Sequence, residues 1–207
     1  FLLFSTSLSF GQQVPAYKNA RLPVSERVND LLSRMTPEEK FWQLFMIAGD
    51  FDTSKQEQYK NGIFGFQFGA SIRNDNGAEQ LLAYDAEEKQ SAFISKINKA
   101  QKYFTEQTRL GIPVIIFDEA LHGLVRQNAT AFPQAIALAA TFDVSLMNKV
   151  AFAIAAETKR QGIHQVLSPV INIAGDVRWG RTEETYGEDP FLTSQMTGAY
   201  IRNFEHQ

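Results

Sequence analysis

Apolar positions along the chain recur with two different periods. Between residues 24 and 35, Val28, Leu31, Leu32 and Met35 fall on one helical stripe. Thr36-Pro37-Glu38-Glu39 then predicts a second helix start. Thr36 is its N-cap, Pro37 takes the first helical position, and Glu39 returns a hydrogen bond to the cap. That helix should carry Trp42 and Leu44 into an apolar run at 44–48. Phe and Gly crowd residues 62–71, predicting a strand whose backbone needs close approach or a bulge. The longest helical pattern is 86–109, with Phe93, Ile97, Ala100 and Phe104 on one face and charges opposite. Gly111 ends it, and 112–117 is a β-branched run suited to a buried strand. Asp143 should cap a further helix carrying Leu146, Val150 and Ile154 and closed by Gly162. Residues 166–173 are strand-like and 191–204 helical.

Helices alternating with short apolar strands imply an α/β fold, a parallel sheet with helices packed outside it. A complete eight-fold β/α barrel takes about 250 residues. Only four or five strand runs are present, so the pattern leaves a smaller open sheet and a truncated barrel both standing. Composition narrows the classes. A chain of 207 residues that is 44% hydrophobic, with 17 Phe, is neither a disordered tail nor a linker. With 23 acidic and 20 basic residues the net charge is −3, which offers no basic stripe for nucleic acid. The absence of cysteine excludes a disulfide scaffold, a thiolate metal site and a cysteine nucleophile.

Residues 1–11 are apolar and rich in small side chains, like the back half of a secretory signal, with Ser9 and Gly11 suited to cleavage before Gln12. A buried N-terminal strand is the competing reading. The stretch is too short to span a bilayer. The signal reading leads to a secreted or periplasmic protein, with residues 12–23 as an irregular lead and one domain over 24–207.

Polar residues cluster where strands should end, which is where α/β folds gather ligand-binding groups. The run 112–117 passes directly into Asp118 and Glu119, with His122 three residues beyond. A second run, 168–176, ends at Asp176 and leads into Arg178-Trp179-Gly180-Arg181, then Glu183-Glu184-Thr185-Tyr186-Gly187-Glu188-Asp189-Pro190. Carboxylates and guanidinium forks pair with vicinal hydroxyls, and an aromatic face stacks on a sugar ring, so the set suits a carbohydrate. Plainer roles compete. Asp118 could cap a helix, and His122 could brace a turn. Trp179 could wedge a loop. The arginines with Glu183, Glu184, Glu188 and Asp189 could form a structural ion-pair network, with Pro190 starting a helix.

Several blocks resemble glycoside hydrolase family 3. They are Met35-Thr36-Pro37-Glu38-Glu39-Lys40 with Gln43-Leu44, then Gly111-Ile112-Pro113, and Glu119-Ala120-Leu121-His122-Gly123. Residues 132–143 and 157–162 follow, and the most specific block is 178–190, from Arg178 to Pro190. The resemblance implies a partial (β/α)8 TIM-type barrel, the N-terminal half to two-thirds only. It also implies exo-acting hydrolysis of β-glucosides or β-xylosides with retention, without metal or cofactor. The substrate would be a β-linked oligosaccharide or an aryl glycoside.

By that resemblance Glu119 holds hydroxyls of the terminal sugar and Arg181 clamps the same ring. Asp118, His122, Asp176, Trp179, Glu184, Glu188 and Asp189 take loop-building or supporting places. Many family glucosidases have Asp where Glu119 stands, and the longer side chain tilts the site toward a pentose. The family's nucleophile, an Asp in a Ser-Asp-Trp-like motif, and its acid/base have no counterpart here and are expected beyond Gln207. The chain by itself should then be inactive and poorly soluble, lacking its own C-terminal part. The alternative is a non-catalytic sugar-binding or scaffolding module. A phosphate-handling enzyme is disfavoured, because no Gly-rich loop of the required spacing is present.

Overall fold

Helix α1 (Val24–Arg34) begins after Pro23, and α2 (Pro37–Trp42) begins at the capping box anticipated above. The Glu39 amide donates to Thr36 Oγ1 over 3.2 Å, and the Thr36 amide donates to Glu39 Oε2 over 2.9 Å. Glu39 is itself buried and receives Arg109 Nε at 2.9 Å, tying α2 to the segment that precedes the third strand of the main sheet. The computed structural model describes residues 14–72, 82–84, 88–126 and 128–206. The signal-like stretch 1–11 and Gln207 lie outside the described residues.

Among the described residues six strands follow: β1 (Met46–Ala48), β2 (Gly65–Gln67), β3 (Ala70–Ile72), β4 (Leu82–Tyr84), β5 (Ile115–Asp118) and β6 (Gln165–Val166). Four of them form one parallel sheet in the order β1-β2-β5-β6, while β3 and β4 pair antiparallel beside it. Helix α3 (Gln90–Gln107) lies in sequence between β2 and β5; the short α4 (Ala135–Ala139) and α5 (Val144–Arg160) lie between β5 and β6. Helix α6 (Pro190–Glu205) packs on α5. This alternation is that of a partial (β/α)8 barrel.

The core sits between sheet and helices. Phe66, Phe68, Phe93, Phe104, Ile116, Ile154, Met196 and Tyr200 are buried in one cluster. Phe51, Tyr59, Phe66, Tyr103 and Phe104 meet ring to ring, for example Phe51 and Tyr103 at 5.0 Å between centroids. Such pairs add about 0.5–1.5 kcal/mol each beyond the area they bury. Where the Phe/Gly segment asks for close approach, the structure supplies it. A Cβ on Gly65 would lie 2.0 Å from the Ile115 carbonyl oxygen of β5. Gly69, at φ +70°, then turns the chain from β2 into β3.

Several elements are shorter than their patterns. β5 starts at Ile115 rather than at 112, because the Gln101 side chain captures both the amide (3.1 Å) and the carbonyl (2.7 Å) of Val114. β6 covers only Gln165–Val166 of the run expected to 173. Its last bond, from the Leu167 amide to the Asp118 carbonyl, falls where β5 ends, leaving no ladder to continue. Leu44, at the start of the apolar run 44–48, is 79% exposed beyond the end of α2, and Val28, Leu32 and Leu146 also face outward. Helix α4 was not anticipated; its five residues are too short a window for a period to show.

Candidate sugar-binding site

Asp118 closes β5 and is fully buried, at 0% exposure. Rather than capping a helix, its carboxylate gathers groups from three segments. Oδ1 accepts the Glu119 amide at 2.9 Å and Gln67 Nε2, from the end of β2, at 3.2 Å. Oδ2 accepts Arg126 Nε at 2.7 Å. The Arg126 side chain is 10% exposed, donates to the Phe68 carbonyl and lies 4.4 Å over the Phe93 ring. A buried charge needs such pairing. Gln67 and Arg126 were not among the candidates from sequence. The only signals were a polar residue amid Phe-Gln-Phe at the end of β2 and one arginine in a loop.

Glu119 follows on the loop and is half-buried. Its carbonyl accepts the Val125 amide at 3.0 Å. On the far side of the next peptide, the buried Tyr200 hydroxyl of α6 donates to the Ala120 carbonyl at 2.6 Å and meets Ser168 Oγ at 3.1 Å. Helix α6 therefore pins both the β5 loop and the segment leading to Arg181.

Arg181 starts the 3-10 turn Thr182–Glu184, which rests against α4. Its Nε lies 3.0 Å from each carboxylate oxygen of Glu184, and its side chain is 59% exposed. Far from Glu119 in sequence, Arg181 and Glu184 nonetheless stand close enough to act on its charge. The Glu119 carboxyl is raised from the usual glutamate value to about 7. Burial is the main cause and the Asp118 carboxylate adds to it; the Arg181 guanidinium works against them, while Glu184 pushes further upward. Asp118 at the carboxyl end of β5, Arg181 and Glu184 thus all lie within electrostatic reach of the Glu119 carboxyl.

A carboxyl whose pKa is higher in the folded chain binds more protons there than when unfolded. Its stabilising share is full below about 4.5 and falls away as the pH rises through about 7. Replacement by an amide removes that term. Between about pH 5 and pH 7.5, the loss of stability of Glu119→Gln in urea titrations will be smaller than that of the wild type. An identical pH slope in the two proteins would mean that Glu119 ionises normally.

The other candidates serve the loops. His122 is braced in a turn, with Nδ1 2.8 Å from the Phe132 carbonyl while its own carbonyl accepts the Phe132 amide at 2.7 Å. Asp176 pairs with Arg178 at the exposed surface. The Trp179 carbonyl accepts the Thr182 hydroxyl at 2.8 Å, and its ring is partly exposed. Asp189 caps α6, accepting the Leu192 amide at 2.9 Å ahead of Pro190, and Glu188 is exposed beside it. Among the described residues no three His, Asp or Glu side chains are grouped to hold a metal ion, and no helix is long and apolar enough to cross a membrane.

Comparison with known proteins sets this geometry in a family. Beta-glucosidase C of Emericella nidulans is 32% identical over 209 residues, covering 93% of this chain and 31% of that protein. A periplasmic beta-glucosidase/beta-xylosidase of Dickeya chrysanthemi is 29% identical over 198 residues, covering 92% of this chain and 30% of its own. Among solved structures, a β-glucosidase from Erythrobacter marinus superposes with a TM-score of 0.72 at 28% identity, over 92% of this chain and 24% of that one. The chain therefore spans less than a third of the length of these relatives. The model of the glycosyl hydrolase family 3 N terminal domain matches residues 36–207, and the chain belongs to that family.

Proposed function

We propose that this chain supplies the terminal-sugar subsite of an exported, exo-acting, retaining β-glycosidase, a β-glucosidase or β-xylosidase. The observation that supports the reading is that Arg181, far away in sequence, lies near enough to the Glu119 carboxyl at the end of β5 to act on its charge. Glu119 accepts hydrogen bonds from vicinal hydroxyls of the ring, and Arg181 donates to the same sugar from across the rim. Glu184 holds the guanidinium in place. The added methylene of Glu119, relative to aspartate, crowds an exocyclic CH2OH and favours a pentose.

Retaining hydrolysis needs a nucleophilic carboxylate and an acid/base about 5–5.5 Å apart. Glu119 is assigned neither part. In the longer protein the nucleophile comes from the rest of the barrel and the acid/base from residues later still, and neither metal nor cofactor takes part. The signal-like composition of residues 1–11 and the periplasmic relative support export.

The test sets two proteins side by side on nitrophenyl β-glucoside and β-xyloside. The full-length protein turns over at least one of them, releasing the β-anomer first, while the 207-residue chain alone is silent. Turnover by the chain alone would refute the division of labour. A full-length protein that binds glucose or xylose without hydrolysing any β-glycoside would establish the non-catalytic module instead.

A further inference from the structure

We infer that Arg126 is a positioning residue for Glu119, holding it through the Asp118 carboxylate; the inference rests on Glu119 gripping the sugar as proposed above. The guanidinium is fixed on three sides: by Asp118 Oδ2 at 2.7 Å, by the Phe68 carbonyl, and by the Phe93 ring 4.4 Å below it. Asp118 passes that constraint on, because its other oxygen accepts the Glu119 amide at 2.9 Å. These contacts thus lead from the turn after β2 and from α3 to the residue that bears the sugar-facing carboxyl. Space for the guanidinium is made by Gly69, where a Cβ would lie 2.9 Å from Arg126 Nη1 and 3.1 Å from Glu88 Oε2. Glu88 is in turn paired with Lys96, which also reaches Asp50 at 2.6 Å.

Stability alone is a weak reason for this arrangement. A dry ion pair is often matched by apolar groups of similar volume, since desolvation consumes most of the attraction. Its directional bonds, however, place the following residue as apolar packing would not. Only a guanidinium fork can serve Asp118 and the Phe68 carbonyl together in this plane. A lysine ammonium retains the charge but reaches one of the two, and the Asp118 carboxylate then turns with the amide it holds.

Arg126→Ala leaves Asp118 buried without this cation and is expected to fold poorly, so Arg126→Lys in the full-length protein is the decisive variant. It melts within a few degrees of the wild type. Its kcat/KM on the better nitrophenyl glycoside falls about tenfold to a hundredfold, the scale of a small misplacement of a binding group. The inhibition constant of the released monosaccharide rises in parallel. In a Glu119→Gln background, the same Arg126→Lys change alters kcat/KM by less than about twofold, because the group it positions is already altered.

A merely structural role would multiply through both backgrounds by one factor, and that result overturns the inference while leaving Glu119 at the sugar. Wild-type kinetics in Arg126→Lys overturn it as well. If Glu119→Gln alone leaves kcat/KM unchanged, the reading of Glu119 fails first, and the role of Arg126 falls with it.

Discussion

Arg181→Ala in the full-length protein lowers kcat/KM on nitrophenyl β-glycosides by a factor of about 10²–10³, equivalent to about 3–4 kcal/mol of transition-state stabilisation. Its melting temperature stays close to that of the wild type. The two outcomes separate because of where the side chain stands. With 59% of it exposed and its partner Glu184 within its own turn, Arg181 contributes a surface ion pair, which adds roughly 0–1 kcal/mol to stability. On the function proposed above, its guanidinium, within electrostatic reach of Glu119, donates to the same sugar, where hydrogen bonds tighten as the ring distorts and charge develops. Arg181→Lys recovers only part of the loss, since a point charge replaces a planar pair of donors. Unchanged kinetics on both glycosides in Arg181→Ala would take this arginine out of the sugar site.

Asp118→Ala has its largest effect on stability, a loss of about 3–5 kcal/mol, the usual consequence of removing one partner of a buried ion pair. Asp118 is at 0% and Arg126 at 10% exposure, so little water can replace the missing carboxylate. Asp118→Asn is milder, because the amide oxygen still accepts from the Glu119 amide. Pairing Asp118→Ala with Arg126→Met restores part of the stability by replacing the buried cation with an apolar side chain. Denaturant titration of the full-length variants reads all three. A loss below about 1 kcal/mol for Asp118→Ala would mean that the pair is hydrated, contrary to its burial.

What the sequence made legible was local. The Thr36–Glu39 capping box, the Asp143 cap and the buried face of α3 (Phe93, Ile97, Ala100 and Phe104) depend on neighbours within a few residues, and they stand as the pattern suggested. The Phe/Gly run was informative because a glycine among large rings signals a close neighbour, and Gly65 has one. Strand lengths were less legible, since a ladder lasts only as long as its partner. The Gln101 side chain displaces the start of β5, and the end of β5 stops β6. Leu44 and Leu146 show the limit of periodicity, which marks an apolar face without saying what lies against it.

The site divides the same way. Glu119 and Arg181 stood out because each sits in a distinctive block of sequence. The links among Gln67, Asp118 and Arg126 did not, because they join the ends of different strands and one loop. Nothing in the spacing of 67, 118 and 126 advertises that they touch. His122, equally conspicuous in its block, is absorbed by a turn.

Gly65 has one more consequence, for how the sheet assembles. On either side of it stand Phe64 and Phe66, and opposite it Ile115 leaves room for a hydrogen atom alone. Sliding one strand past the other by a single residue would drive a phenyl ring into that gap and turn every side chain to the wrong side. Mis-threaded pairings of the two central strands are thus ejected by collision before they can lock, and the smallest residue in the segment acts as its alignment key.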